Sequence, residues 1–219
     1  MDGGDFSERR ERMVRDQIAI RGVRDPAVLA AMRQVPREEF VGPELRRRAY
    51  DDSPLPIEDD QTISQPYIVA LMLEAAALRP ADRVLEVGAG SGYASAAASL
   101  VAAHVVAIER HAGLAASAAE RLARLGFAGV EVHHADGSGG WPAGAPFDAN
   151  HVAASGPRVP EVQRGQLAPG GRLVMPVGQS AWSQRLVRVT RRGDDAFEEE
   201  DLGGVVFVPL LGEHGWPER

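Results

Sequence analysis

The chain has 219 residues, 44% of them hydrophobic and 25% charged. That is enough for one generous globular core, and no run approaches the roughly 18 apolar residues of a membrane-spanning helix. It has no cysteine, which excludes disulfides, thiolate catalysis and cysteine-zinc sites; its 24 basic residues are all arginine, which excludes Schiff-base and P-loop lysine chemistry. A net charge of −7 disfavours a nucleic-acid partner, and the charged start MDGGDFSERRERMVRDQ lacks the apolar core of a secretory signal, so a cytoplasmic protein away from membranes is expected.

In chain order, residues 7–34 read as two short helices broken at Arg21-Gly22. Asp25 is the N-cap of the second and Pro26 its first helical position. Residues 36–60, rich in proline and charge, read as irregular with a short helix. QTISQP (61–66) then leads into an apolar helix to about Leu78. From Pro80 strands and helices alternate: RVLEVGAG (83–90) is a strand running into glycines, followed by a helix at 91–102, a strand at 104–110 and a helix at 113–126. Further strands are predicted at 130–136 and 147–155, then a helix at 159–167, the turn APGG and a strand at 172–178. The remainder suggests an antiparallel pair around Gly193-Asp194. This alternation predicts an α/β, Rossmann-like fold: a mostly parallel twisted sheet with helices on both faces, antiparallel C-terminal strands and a small N-terminal helical cap. A single domain is expected, with the cap at 1–60, the core at 61–212 and a tail at 213–219.

LEVGAGSGY places glycines between a strand and a helix, where backbone can approach a ligand. A dinucleotide fingerprint needs its third glycine at position 93, which is Tyr93, and no GK[ST] exists for a P-loop. The spacing is instead Gly88, Gly90 and Gly92, with Glu86 ahead of them and Ser91 between. Glu109 ends the next strand, where an acid can accept both hydroxyls of a ribose, and Asp136 ends the third beside Gly137. Three carboxylates suit a nucleoside with an amino-acid tail better than a pyrophosphate.

QTISQP admits two readings. Its hydroxyls can cap the helix that follows, or they can form an anion site at the N–H end that Pro66 presets. His133-His134 is the only histidine pair; adjacent strand side chains point to opposite faces, so no metal is predicted. Asn150 and His151 are polar in what should be a buried central strand, each costing about 1–3 kcal/mol if unpartnered. Either they are hydrogen-bonded, or that strand is shifted or partly open.

LEVGAGSGY, Glu109 and Ala135-Asp136-Gly137 resemble class I S-adenosylmethionine-dependent methyltransferases. PREEFV (36–41), PLPI (54–57), QTISQPYIVALM (61–72), RLARLG (121–126), GWP (140–142), APFDA (145–149), LAPGGRLVMPVG (167–178) and VVFVPLLG (205–212) resemble, in the same order, the protein-L-isoaspartate O-methyltransferase family. The resemblance implies a class I methyltransferase fold with S-adenosyl-L-methionine as cofactor and S-adenosyl-L-homocysteine as product. Glu86, Gly88, Gly90, Ser91, Gly92, Glu109, Asp136 and Gly137 would bind the cofactor. Thr62, Ile63, Ser64, Gln65, Ala154 and Ser155 would bind substrate, with Ser64 catalytic. It further implies a monomer acting on isoaspartyl residues of damaged proteins and peptides, whose methyl ester is lost through a succinimide. A related enzyme acting on a dedicated peptide carboxylate, and a non-catalytic module holding the same cofactor, remain alternatives. Relatives tend to carry glycine where Asp60 stands, a position that would suit a positive φ, and a larger residue near Ser138-Gly139, whose extra glycine could loosen the adenine pocket.

Overall fold

The computed structural model describes residues 3–180 and 183–217. Helix α1 (Gly3–Met13) runs through a π turn at Val14–Ile18 and a 3-10 turn at Ala19–Arg21, and Gly22 ends it with φ 102°. This is the expected break. Helix α2 (Pro26–Gln34) starts as expected, with the Asp25 carboxylate accepting from the N–H groups of Ala27 and Val28. The irregular stretch holds two 3-10 turns, Arg37–Phe40 and Pro43–Arg48, and then a small hairpin of β1 (Leu55–Pro56) and β2 (Thr62–Ile63).

The apolar helix, α3 (Pro66–Ala75), stops before Leu78. Arg172 explains the early stop. Its Nε donates to the carbonyl of Ala76 at 2.7 Å and its Nη2 to that of Ala77, while Nη2 also pairs with Asp82 at 2.7 Å. The guanidinium thus collects the orphan carbonyls of the helix end, and Ala77 takes a left-handed φ of 47° to present them.

The alternation beyond residue 80 gives β3 (Arg83–Val87), α4 (Tyr93–Ser99), β4 (His104–Glu109), α5 (Ala112–Arg124), β5 (Val130–His134), β6 (Phe147–Val152), α6 (Glu161–Gly165), β7 (Leu167–Ser180), β8 (Ser183–Arg191) and β9 (Phe197–Val205). They form one seven-stranded sheet in the order β5-β4-β3-β6-β7-β8-β9, parallel from β5 to β7 and antiparallel from β7 to β9. The expected APGG turn survives as a bulge inside β7: between its pairings with Phe147 and Ala149, β7 advances from Leu167 to Arg172. The order reverses after β3, with β4 on one side and β6 on the other. Open α/β sheets bind ligands at the carboxyl edge of such a switch point.

Two apolar clusters cover the faces of the sheet. One joins Val84, Ala149, Val174 and Leu186 to α3, α4 and the N-terminal helices; the other gathers Leu85, Val106, Phe147, Leu173 and Met175. Strand β6 is neither shifted at its centre nor open, because Asn150 pairs with Leu85 and Leu173 and His151 with Glu86 and Val174. Both side chains are nonetheless buried, Asn150 at 0% exposure and His151 at 3%. Neither amide atom of Asn150 has a hydrogen-bond partner, and the same holds for Nε2 of His151. Neither expected outcome holds for Asn150, which is buried without a partner in an intact strand, while His151 keeps its Nδ1 3.6 Å from Glu86.

Candidate active site

The carboxyl edge at the switch point opens into a cleft of about 900 Å³ of empty space, part of it facing solvent. Its floor is the glycine turn after β3, where Gly88, Gly90 and Gly92 all have positive φ, 88°, 53° and 88°. Glu86 lies at the base, 2% exposed, with one carboxylate oxygen accepting from the Ser95 hydroxyl of α4 and the other 3.6 Å from Nδ1 of His151. Glu109, 4% exposed at the end of β4, accepts from the N–H of Gly90 at 2.8 Å and that of His111 at 2.9 Å. One oxygen serves each bond, so both keep capacity for a ligand hydroxyl. Gly137 packs so closely that a Cβ there would sit 2.7 Å from Cγ1 of Val87, which is why the chain after β5 can carry only glycine at this wall.

The opposite wall is the hairpin. Thr62, Ile63 and Ser64 line the cleft, and a Cβ added at Gly90 would lie 3.4 Å from Cδ1 of Ile57, so the hairpin rests on the glycine turn. Its tip runs from Glu58 to Gln61 with Asp59 and Asp60 both at φ 55°, so this position does use the left-handed region, in acids rather than glycine. All three acids point to solvent, and Asp59 reaches Nδ1 of His111 across the rim at 3.8 Å.

The helix-cap reading of QTISQP fails. The N-cap of α3 is Gln65, whose side chain caps nothing and instead donates to Asp52, at 2.7 Å to its carboxylate. Pro66 has no N–H, and the first intrahelical bond runs from Val69 to the Gln65 carbonyl at 3.2 Å. The N–H groups of Tyr67 and Ile68 are therefore left at the helix mouth beside Ser64.

Of the residues expected from sequence, the cleft brings together Thr62, Ile63, Ser64, Glu86, Gly88, Gly90, Ser91, Glu109, Gly137 and Ala154. Four lie off its lining. Gln65 is tied to Asp52 as described. Gly92 is the left-handed start of α4, packed on Leu122. Ser155 is buried behind the wall, its carbonyl accepting from the N–H of Leu210 and Nε1 of Trp216. Asp136 sits in an adjoining pocket that shares Arg110 and Leu211 with the cleft.

Asp136 is engaged by the chain itself, accepting from the N–H of Ser138 at 2.8 Å and of Glu213 at 3.1 Å. Partial burial pushes its carboxyl upward, but these bonds outweigh burial and hold it below its ordinary value. The Ser138-Gly139 segment is not loosened. Gln163 donates to the carbonyls of Gly137 and Ser138, Gln166 to that of Gly139, and the Ser138 hydroxyl accepts from the N–H of His214. Residues 213–216 are thus bound into the fold rather than hanging from it as a tail. Sequence reasoning missed the strap Val208–Leu211 and the cleft-lining place of Tyr93, whereas the position of His151 on a strand that ends near the donor already pointed to the cleft.

A left-handed glycine turn at the switch point, an acid at its base, a second at the end of the neighbouring strand and a closing antiparallel edge define a class I S-adenosylmethionine-dependent methyltransferase. The fit is chemical as well: Glu86 and Glu109 keep acceptor capacity in a buried cleft, as an ammonium tail and ribose hydroxyls require. The chain belongs to the protein-L-isoaspartate(D-aspartate) O-methyltransferase family, whose description it matches over residues 8–215. It is 58% identical over 206 residues to the protein-L-isoaspartate O-methyltransferase of Rhodopseudomonas palustris, covering 94% of each chain. It is 55% identical to protein-L-isoaspartate O-methyltransferase 2 of Pelobacter propionicus, over 95% of this chain and 92% of the other. Among solved structures, a protein-L-isoaspartate O-methyltransferase superposes with a TM-score of 0.82 at 29% identity, over 94% of this chain and 66% of that longer one. A putative enzyme of the same kind from Plasmodium falciparum, in complex with S-adenosyl-L-homocysteine, gives 0.79 at 26% identity over 92% and 98%. The chain is an S-adenosylmethionine-dependent enzyme that methylates isoaspartyl residues of damaged proteins and peptides.

Proposed function

We propose that the isoaspartyl carboxylate is seated at the mouth of α3, against the Ser64 hydroxyl and the N–H groups of Tyr67 and Ile68. The observation that supports this is Ser64 lining the cleft with the glycine turn, immediately ahead of a helix start that no side chain caps. An isoaspartyl residue carries a free α-carboxylate because its backbone runs through the side chain, and a helix N-terminus favours an anion. When bound, S-adenosylmethionine supplies a methyl group already activated by its sulfonium.

A carboxylate is already a nucleophile at neutral pH, so no proton has to be removed. The work left to the chain is alignment and exclusion of water. Glu86 and Glu109 fix the donor end, Ser64 the acceptor end, and the strap Val208–Leu211 closes the third side. The resulting ester is lost through a succinimide, which returns part of the product to normal aspartate. All these groups come from one chain, which supports action as a monomer; the net charge of −7 supports proteins and peptides, not nucleic acid, as partners. The unbroken pairing of β6 removes the reason for reading the chain as a cofactor-holding module without catalysis.

The test uses labelled S-adenosylmethionine and two peptides that differ only in isoaspartate or aspartate. Base-labile label is expected on the isoaspartyl peptide alone, and Ser64→Ala should lower kcat/KM by about 10²-fold, the cost of losing alignment at one reacting atom. Full activity in Ser64→Ala would remove Ser64 from the seat.

A further inference from the structure

Among the described residues Arg37 is the largest fully buried side chain, 0% exposed, on the 3-10 turn Arg37–Phe40. Arginine is almost never fully buried unless an anion accompanies it. Among the described residues none does. Its Nε donates to the carbonyl of Ala49 at 2.7 Å and its Nη2 to the carbonyl of Ser64 at 2.8 Å. Its Nη1 has no hydrogen-bond partner, and its guanidinium lies over the Tyr93 ring at 4.6 Å. The carboxylate next in sequence, Glu38, is taken by Arg10 at 3.3 Å and by the Tyr50 hydroxyl. Burial lowers the pKa of the Arg37 guanidinium, yet arginine stays charged in proteins. A permanent cation is therefore held in the core with only dipoles and one aromatic face to balance it.

Its two neighbours on the reaction side carry the argument. Ser64 and Tyr93 both line the cleft, so Arg37 stands directly behind the wall where the acceptor is seated. The rest of that region is acidic, with Glu58, Asp59 and Asp60 on the rim and Glu86 and Glu109 inside. Such a cleft suits a cationic donor but repels an anionic acceptor. Of the arginines nearer the cleft, Arg110 is shared with the pocket of Asp136, and Arg121 is spent on the Ser91 carbonyl at 2.8 Å.

We propose that Arg37 is a specificity-determining positioning residue: it fixes the Ser64 segment, and its buried charge makes the seat select a carboxylate over a neutral group. This rests on the reading of Ser64 as the seat. The substrate supplies the counter-ion that the core lacks, so binding is favoured by a charge the protein has already desolvated.

The experiment is calorimetry on the full chain saturated with S-adenosylhomocysteine, using an isoaspartyl peptide and the same peptide with isoasparagine, its uncharged isostere. Wild type should bind the isoaspartyl peptide at least tenfold more tightly. Arg37→Met and Arg37→Gln should lose that preference to within about threefold by weakening the isoaspartyl peptide alone, and Arg37→Lys should keep most of it. Equal weakening of both peptides, as a purely structural role would cause, overturns the proposal, and so does an unchanged ratio. Should the neutral variants not fold, Arg37→Lys decides: a preserved ratio supports the role of charge and a lost one overturns it. A wild-type protein with no preference would instead sink the Ser64 seat itself.

Discussion

Asn150 shows what a buried polar group costs when nothing answers it. Both its amide atoms are without a partner, between Leu85 and Leu173 in a strand hydrogen-bonded on both sides. Replacing an unsatisfied buried amide with a β-branched apolar residue removes the desolvation penalty and suits the strand. Asn150→Val is therefore expected to stabilise the fold by about 1–3 kcal/mol, visible as a higher denaturant midpoint at unchanged slope. An earlier midpoint would mean that the amide is satisfied in solution. His151 differs because its ring faces the cleft beside Glu86, so substitution there trades stability against the donor site.

At the scale of elements, the end of α3 carries the clearest local strain. Ala77 holds φ 47° so that its carbonyl and that of Ala76 meet Arg172. A left-handed alanine costs about 1–2 kcal/mol where glycine pays nothing, so Ala77→Gly should stabilise by roughly 1 kcal/mol, less the entropy of the freer unfolded chain. A melting temperature that falls would show that the Cβ has packing worth more than the strain. Elements of this kind separate what a sequence reveals from what it hides. The helix start at Asp25-Pro26, the glycine turn and the parallel sheet were legible, because caps, glycines and apolar runs alternating with helices are local signals. The end of α3 was not, because a residue nearly a hundred positions away sets it. The cleft was legible where acids and glycines follow strands, and illegible where Val208–Leu211 and Tyr93 close it with ordinary apolar side chains. Asp136 lies two residues beyond β5 rather than at its end, and its capture by Glu213 depends on a return of the chain that no local pattern announces.

For the whole molecule, that return matters. The last described residues cross the carboxyl edge of the sheet, with Glu213 on Asp136, His214 on Ser138 and Trp216 on Ser155. They bind the C-terminal strap to two of the strand ends that build the site. The carboxyl of Asp136 is depressed in the fold, so its contribution is complete above its ordinary value of 3.8 and is lost as pH falls through the lower folded value. The amide signal of Glu213 in nuclear magnetic resonance should accordingly titrate with a midpoint below 3.8; a midpoint at or above that value would mean that the strap does not hold the carboxylate in solution.

Helix α3 has a guanidinium at each end: Arg37 grips the Ser64 carbonyl just before it, and Arg172 grips the carbonyls of Ala76 and Ala77 just after it. Mechanically it is a beam clamped at both supports, and a beam so held cannot swing aside to admit a bulky chain. The compliance needed to take in a folded protein's damaged loop then falls to the short hairpin ahead of it. The left-handed pair Asp59-Asp60 bends that hairpin, and its tip reaches across the rim to His111 in a long contact of 3.8 Å.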